Sequence, residues 1–278
     1  MLIDAHQHFW KLADRAGQWP PAALAAIYRD FGPADLQPAL AQCRVTGTVL
    51  VQSLPTLADT HYLLEMAQRN PFVLGVVGWV DLLAADAPAQ IAALAQHPKL
   101  KGLRPMLQDL PDIQWIANPA LAPALCAMEA HGLVFDALVL PQHLQALRIM
   151  AQRHPALSIV IDHAAKPEIA EQRLEPWRTH LQALATLPQV HCKLSGLLTE
   201  AGDSPNAQAL GPYVDHALKV FGVRRLIWGS DWPVLQLVAD YPDWLAMARA
   251  LCRAHAGMDD AGMAAIFGGN ARRLYHLD

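Results

Sequence analysis

Residues 133–163 read LVFDALVLPQHLQALRIMAQRHPALSIVIDH, and this stretch decides the fold. Its two ends, Leu133–Val139 and Ser158–His163, are nearly continuous apolar runs, which are typical of strands buried on both faces. The segment between them, Pro141–His154, is rich in Leu, Ala and Gln, and its recurring polar residues predict a helix with one exposed face. The stretch therefore predicts a strand–helix–strand unit of a parallel sheet.

The same unit recurs along the chain. Six further apolar runs predict strands at Leu2–Phe9, Gly47–Ser53, Val73–Leu82, Leu100–Met106, Val190–Leu197 and Arg225–Val234. Helical segments lie between them at Leu57–Arg69, Ala87–His97, Pro119–His131, Leu174–Leu187, Asn206–Phe221 and Tyr241–His255. Eight strands alternating with helices over roughly 250 residues predict an α/β fold, a single (β/α)8 TIM barrel that spans residues 1–278. A doubly wound nucleotide-binding sheet is disfavoured, because no glycine-rich phosphate loop follows the first strand.

Two segments fall outside this repeat. Lys11–Leu40 carries several tryptophans and prolines, and we interpret it as a long loop that covers the C-terminal face of the barrel. Gly262–Leu277 is predicted to be a helical tail, and Gly268-Gly269-Asn270 within it a turn.

Composition excludes several classes of protein. Of the 278 residues, 53% are hydrophobic, which excludes a disordered chain, and the net charge of −4 argues against nucleic-acid binding. A membrane span is not expected, because the apolar run at 71–80 stops at Asp81, at about half of the ~20 residues needed. The first residues lack the basic start of a signal peptide, and the four cysteines form no CxxC pair. These features predict a cytoplasmic protein with reduced thiols.

In a barrel of this kind, catalytic groups lie at the C-terminal ends of the strands. His6 and His8 stand two residues apart at the end of the first strand, so their side chains face the same side. Such a pair can ligate a divalent metal or clamp an oxyanion. Asp231 follows the eighth strand, which lies beside the first when a barrel closes. It can therefore activate a water or complete a metal site with the histidines, or simply cap the next segment.

Two further strand ends carry candidates for the same site. His163 ends the sixth strand as a candidate ligand or proton-transfer group, and Asp162 before it either orients His163 or caps the next loop. Arg104 ends the fourth strand, where its rigid fork of donors can clamp an anion or carbonyl, or pair with a loop acid.

The remaining polar residues at strand ends are more ambiguous. Asp136 either reaches the barrel mouth or forms a buried ion pair, and Lys166 can contact a carboxylate or a hydroxyl. A mechanism in which Lys193 forms a Schiff base is disfavoured, because it would give the histidines no catalytic role. Ser195 lacks a G-x-S-x-G elbow, which excludes a serine hydrolase of that type.

Several local phrases of the sequence together resemble one known family. They are IDAHQHFW (3–10), GVVGWVDL (75–82), HPKLKGLRPMLQD (97–109), VIDHAAKP (160–167), VHCKLSGLLTEA (190–201), WGSDWPV (228–234) and FGGNARRLY (267–275). The chain thereby resembles the amidohydrolase superfamily, its Amidohydrolase 2 family, and the sugar-lactonase group that includes L-fuconolactonases and L-rhamnonolactonases. The resemblance implies a distorted barrel that hydrolyses a lactone, with His6, His8, His163 and Asp231 as the core of its active site.

The sequence also departs from part of that superfamily. Dinuclear members hold a bridging Lys or Glu after strand 4 and a His after strand 5, whereas this chain has Arg104 and Asp136 at those places. A dinuclear centre, and with it a phosphotriesterase-like hydrolase, is therefore disfavoured. Two alternatives stay open, a single Zn²⁺ on His6, His8 and Asp231, or a site with no obligatory cofactor.

These residues lead to a hypothesis about mechanism. Asp231 acts as the general base on water, while the histidines and Arg104, or one metal ion, polarise the lactone carbonyl. Contacts to the sugar hydroxyls are predicted for Gln7, Trp10, Gln52, Trp79 and Lys166. The expected partner is a small sugar lactone, with no nucleic acid and no membrane, for a monomer or homodimer.

Two rival functions follow from the same residues. A zinc-dependent decarboxylase of the same family would act on an aromatic or unsaturated carboxylic acid and release carbon dioxide. A non-catalytic sugar-binding barrel would keep its whole function when Asp231 is changed to Asn.

Overall fold

The computed structural model describes residues 1–278 except Ala16 and Ser204. Eight parallel strands pair in chain order to form a nearly closed barrel, as the sequence predicts. They are β1 (Ile3–Gln7), β2 (Gly47–Val51), β3 (Val73–Gly78), β4 (Leu100–Leu103), β5 (Val134–Ala137), β6 (Ile159–Ile161), β7 (Val190–Leu194) and β8 (Leu226–Trp228). Each is shorter than its apolar run, because the run continues into the buried loop beyond the last paired residue.

Helices surround this barrel. They are α1 (Pro33–Cys43), α2 (Leu57–Arg69), α3 (Ala87–Leu94), α4 (Ala122–Ala130), α5 (Leu144–Arg153), α6 (Trp177–Ala185), α7 (Ala207–Phe221), α8 (Tyr241–Ala254), α9 (Asp260–Ala264) and α10 (Asn270–Leu274). Side-chain caps begin several of them, as where Thr56 accepts from the Asp59 backbone amide ahead of α2. In the part of the chain that the structure describes, no helix is long and apolar enough to cross a membrane.

Helix α1 corrects one prediction. It begins at Pro33, inside the predicted loop Lys11–Leu40, and continues beyond the end of that loop to Cys43. Two prolines obscured it, but Pro33 occupies the first turn, where a missing amide costs nothing. The Gly32 amide donates to Asp35 Oδ2 at 2.9 Å and closes the helix start. The covering loop is thus confined to the residues before α1.

The C-terminal tail is helical, as predicted, but its glycine pair is not a simple turn. Residues Ala265–Gly269 form a π-helical turn between α9 and α10. A Cβ at Gly268 would collide with the backbone oxygen of Met1, so glycine lets the tail pass under the start of β1. The tail then places Tyr275 inside the lower end of the barrel, among the apolar side chains of the strands.

The seam between β8 and β1 closes the barrel without a regular ladder. The Asp231 amide donates to the His6 carbonyl at 2.8 Å, and the His8 amide donates to the Trp232 carbonyl at 2.8 Å. A Cβ at Gly229 would lie 2.6 Å from His6 Cβ, so glycine permits this close approach. The seam therefore brings Asp231 to the two histidines of β1.

Asp4 reinforces the seam from β1. Its carboxylate accepts from the Ser230 amide at 2.8 Å, from the Ser230 hydroxyl at 2.6 Å and from the Tyr241 hydroxyl at 2.9 Å. All three groups are buried, so these bonds replace the ladder that the strands lack.

Candidate active site

The C-terminal ends of four strands, here called the upper ends, bring the five predicted catalytic residues together, and all five are buried. They are His6, His8, Arg104, His163 and Asp231. Asp231 Oδ1 lies 3.2 Å from His8 Nε2, 3.7 Å from His6 Nε2 and 3.9 Å from His163 Nε2. Arg104 Nη1 lies 3.4 Å from His6 Nε2. One carboxylate is thus surrounded by three imidazoles, beside a guanidinium.

A left-handed turn after β6 positions His163. Residues 163–166 have φ values of 52°, 48°, 63° and 48°, a conformation that costs roughly 1–2 kcal/mol for each residue other than glycine. Trp177 Nε1 donates to the Ala164 carbonyl at 2.6 Å and holds the turn in place. Such strain is typical of functional sites, and here it directs His163 and Lys166 into the same cavity.

The loop after β7 supports His163 from the other side. Ser195 Oγ lies 2.9 Å from His163 Nδ1, so the serine orients the imidazole instead of acting as a nucleophile. Gly196 follows with a φ of 61°, and a Cβ there would lie 2.5 Å from His163 Nδ1. Glycine is therefore required at this position for the histidine to keep its place.

The pKa values of the buried groups leave His6 and His163 neutral and Asp231 ionised. Burial lowers the pKa of His163 to about 4 and holds the pKa of His6 well below its usual value, so both imidazoles are neutral. Burial alone would raise the pKa of Asp231, but His163 and His8 outweigh it and hold that pKa well below its usual value. The site therefore presents two neutral imidazoles, those of His6 and His163, beside the ionised carboxylate of Asp231.

A second ionic cluster lies beneath this site, inside the barrel. Lys193 Nζ lies 2.6 Å from Asp136 Oδ2, 3.0 Å from Asp162 Oδ1 and 3.2 Å from His6 Nδ1. The Tyr275 hydroxyl donates to Asp136 Oδ2 at 2.7 Å. Burial would lower the pKa of Lys193, but the two aspartates raise it, so the lysine stays charged.

The lower cluster decides between the sequence alternatives. Asp136 forms the buried ion pair and does not line the mouth, and Lys193 is sealed by its partners, unlike a Schiff-base lysine. Asp162 was expected either to orient His163 or to cap the next loop, but its Oδ1 lies 3.3 Å from His6 Nδ1 and its Oδ2 lies 3.4 Å from Arg104 Nη1. It therefore orients the residues of β1 and β4.

A cavity of about 500 Å³ opens onto the upper cluster. Its lining comprises His8, Gln18, Trp19, Leu24, Ser53, Leu54, Pro55, Arg104, Met106, Gln108, Asp109, Leu138, His163, Lys166, Thr199, Glu200, Asp231, Val234 and Leu237. Of the predicted sugar contacts, Lys166 is part of this lining. Trp19 and Glu200 were not predicted, although Trp19 lies in the segment expected to cover the site.

The other four predicted sugar contacts are not part of this lining. Gln52 Nε2 donates to the Arg104 carbonyl at 2.6 Å, and Arg104 donates to the Gln52 carbonyl, so Gln52 positions the arginine. Gln7 faces away from His6 and His8 along β1 and donates to Thr48 Oγ1 at 3.1 Å. The remaining two are tryptophans. Trp10 Nε1 donates to a loop carbonyl at 2.8 Å, and the backbone of Trp79 is bonded to a threonine of α2.

The donor set fits a zinc ion. Ligand atoms of His6, His163 and Asp231 lie within 4.8 Å of one another, a group of imidazole and carboxylate donors that Zn²⁺ prefers. His8 Nδ1 donates to the Val51 carbonyl at 2.8 Å, and His8 Nε2 lies 3.2 Å from Asp231 Oδ1. The second contact requires a proton or a cation between the two atoms. The set predicted from sequence contained His8 but not His163, which the structure brings to the same carboxylate.

The comparison with known families agrees with this geometry. The Amidohydrolase family model matches residues 3–277 of the chain. The chain belongs to the amidohydrolase family. This confirms the resemblance found in the sequence.

Three relatives of this amidohydrolase are informative. An L-fucono-1,5-lactonase of Burkholderia ambifaria is 57% identical over 99% of the chain and 96% of the relative. Another L-fucono-1,5-lactonase, from Burkholderia multivorans, is 35% identical over 100% of the chain and 96% of the relative. The crystal structure of a Burkholderia multivorans amidohydrolase with bound zinc is 34% identical, with a TM-score of 0.93 over 100% of both chains.

Proposed function

We propose that this amidohydrolase hydrolyses L-fucono-1,5-lactone or a closely similar sugar lactone to the open sugar acid. The observation that carries the proposal is the 57% identity, over nearly the full length of both chains, to an L-fucono-1,5-lactonase. The cluster around Asp231 agrees with it, because ester hydrolysis needs an ionised base beside groups that stabilise an oxyanion.

The chemistry can be assigned to named groups. Water attacks the lactone carbonyl carbon while Asp231 accepts its proton, and the carbonyl oxygen becomes an oxyanion that the Arg104 guanidinium stabilises. The bond between the carbonyl carbon and the ring oxygen then breaks, and the ring oxygen takes up the proton from Asp231. Because its low pKa makes Asp231 a weak base, the polarising groups must contribute a large part of the rate enhancement.

We further propose that one Zn²⁺ is bound by His6, His163 and Asp231, with His8 beside them. A zinc ion in such a site supplies a Lewis acid for the carbonyl. The neutral state of His6 and His163 supports the proposal, since a metal binds the unprotonated imidazole. Arg104 and Asp162 would orient the groups around it.

A pH-indicator assay on purified protein tests both proposals. We expect acid release from L-fucono-1,5-lactone well above the spontaneous rate, loss of that activity on chelation, and recovery with added zinc. No acid release from any aldonolactone at high enzyme concentration would refute the function, and full activity after verified removal of metal would refute the zinc site. Location in the cytoplasm and a monomeric or homodimeric state stay predictions.

A further inference from the structure

The cavity wall carries an ion pair that the proposed chemistry does not use. Lys166 Nζ lies 3.5 Å from Glu200 Oε1, and the two side chains are 25% and 26% exposed. Both residues line the same cavity as His163 and Asp231. A substrate whose ester group reaches Asp231 therefore shares the cavity with this pair.

The backbone holds both residues of the pair in fixed positions. Lys166 ends the left-handed turn after β6, and its amide donates to the His163 carbonyl at 2.8 Å. The Glu200 carbonyl accepts from the Ala170 amide at 3.0 Å, which ties the loop after β7 to the loop after β6. A pair anchored in this way is preorganised for a ligand.

The chemistry of the pair selects the kind of ligand. An ammonium group only donates hydrogen bonds and a carboxylate only accepts them, whereas a hydroxyl does both. An unsubstituted lactone offers acceptor oxygens alone, so it has nothing to donate to Glu200. A lactone with ring hydroxyls can satisfy Glu200 and Lys166 together. Trp19, 36% exposed on the same cavity, adds an aromatic face suited to a sugar ring.

We propose that Lys166 and Glu200 form the subsite that recognises the ring hydroxyls of the lactone and sets the preference for sugar lactones over unsubstituted ones. The inference rests on the proposed lactone hydrolysis and assigns its substrate selectivity to this pair. The catalytic cluster around Asp231 acts on the ester, which both kinds of lactone share.

Competing lactones with the same ester test the inference. The measurement is kcat/KM for L-fucono-1,5-lactone divided by kcat/KM for δ-valerolactone, in the wild type and in Lys166→Met and Glu200→Gln. We expect this selectivity ratio to fall by about tenfold to a hundredfold in each variant, the effect of a lost hydrogen bond to a charged group. In the double variant the two losses should not add, because the residues share a ligand.

Matched surface variants and a second measurement, product inhibition, serve as controls for the selectivity ratio. Lys219→Met and Glu65→Gln change exposed residues on α7 and α2, outside the cavity lining, and should keep the wild-type ratio. Inhibition by the open sugar acid and by 5-hydroxypentanoate gives a readout that does not depend on turnover of δ-valerolactone. The inhibition constant of the sugar acid should rise in the cavity variants, and that of 5-hydroxypentanoate should not.

Two outcomes would overturn the inference while leaving lactone hydrolysis intact. One is a selectivity ratio and sugar-acid inhibition that stay at their wild-type values. The other is an equal loss on both lactones, which would place the pair in the chemistry or in folding. A wild-type protein that opens no sugar lactone would refute the proposed function, and this inference with it.

Discussion

Two clusters of buried ionisable side chains lie one above the other inside the barrel, and only the upper one is open to the cavity. The upper cluster around Asp231 faces the 500 Å³ cavity and joins one carboxylate to three imidazoles. The lower cluster around Lys193 is sealed: its lysine pairs with two aspartates, and one of them, Asp136, also accepts a hydrogen bond from the Tyr275 hydroxyl. Burial of charge is common to both, so burial alone does not mark a catalytic group.

This difference indicates that the lower cluster stabilises the fold, whereas the upper cluster is arranged for binding and chemistry. The lower cluster is nearly self-satisfied, and it supports the upper one through contacts of Lys193 and Asp162 with His6. The upper cluster keeps a strained backbone at His163, and the contact between His8 Nε2 and Asp231 Oδ1 needs a proton or a cation between the two atoms. Substitutions in the two clusters should therefore separate activity from stability.

The largest expected effect is on activity in the upper cluster. Asp231→Asn removes the proton acceptor, and we expect kcat/KM for the sugar lactone to fall by about 10³-fold or more. The free energy of unfolding should change by no more than about 1 kcal/mol, because a functional carboxylate is not placed for stability. Urea denaturation beside the lactone assay measures both, and a large loss of stability with activity retained would reverse the assignment.

The next largest effect is on stability in the lower cluster. Lys193→Met keeps the volume of the side chain but leaves Asp136 buried without a counter-ion and Asp162 with Arg104 alone. This should cost about 3–5 kcal/mol of unfolding free energy. Lys219→Met is the matched surface control and should stay within about 0.5 kcal/mol of the wild type. A Lys193→Met protein as stable as this control would show that the lower cluster does not hold the barrel together.

A smaller loss of activity is expected from the glycine beneath His163. Gly196→Ala places a Cβ 2.5 Å from His163 Nδ1 and displaces the imidazole from Asp231. A displacement of about 1 Å in an active site lowers the rate by about 10²-fold, so kcat/KM should fall by that order. Gly132→Ala, at another positive φ but with nothing near its Cβ, tests the backbone effect alone and should leave kcat/KM near the wild-type value.

The smallest effect should come from the base of the barrel. Tyr275→Phe removes the hydroxyl that donates to Asp136 and should lower the free energy of unfolding by about 1–3 kcal/mol. Because the hydroxyl is remote from the cavity, kcat/KM should stay within about twofold of the wild type. A larger loss of activity would mean that the two clusters are more strongly coupled than their contacts indicate.

The sequence predicts the barrel well because parallel strands, buried on both faces, leave continuous apolar runs. It also predicts His6, His8, His163, Arg104 and Asp231, since the ends of parallel strands meet at one face. It misses α1, where prolines obscure the helix, and it places Gln7 and Gln52 in the cavity although neither is part of its lining. Glu200 could not be found in this way, because a loop beyond the strand end carries it.

One isotope measurement tests the central claim most directly. L-Fucono-1,5-lactone is opened in ¹⁸O-labelled water by the wild type and by Asp231→Asn, and the position of the label is read by mass spectrometry. We expect one ¹⁸O in the carboxylate of the product, formed rapidly by the wild type and about 10³-fold more slowly, or slower still, by Asp231→Asn. Label in the ring-opened hydroxyl, or equally fast labelling with both proteins, would contradict the claim.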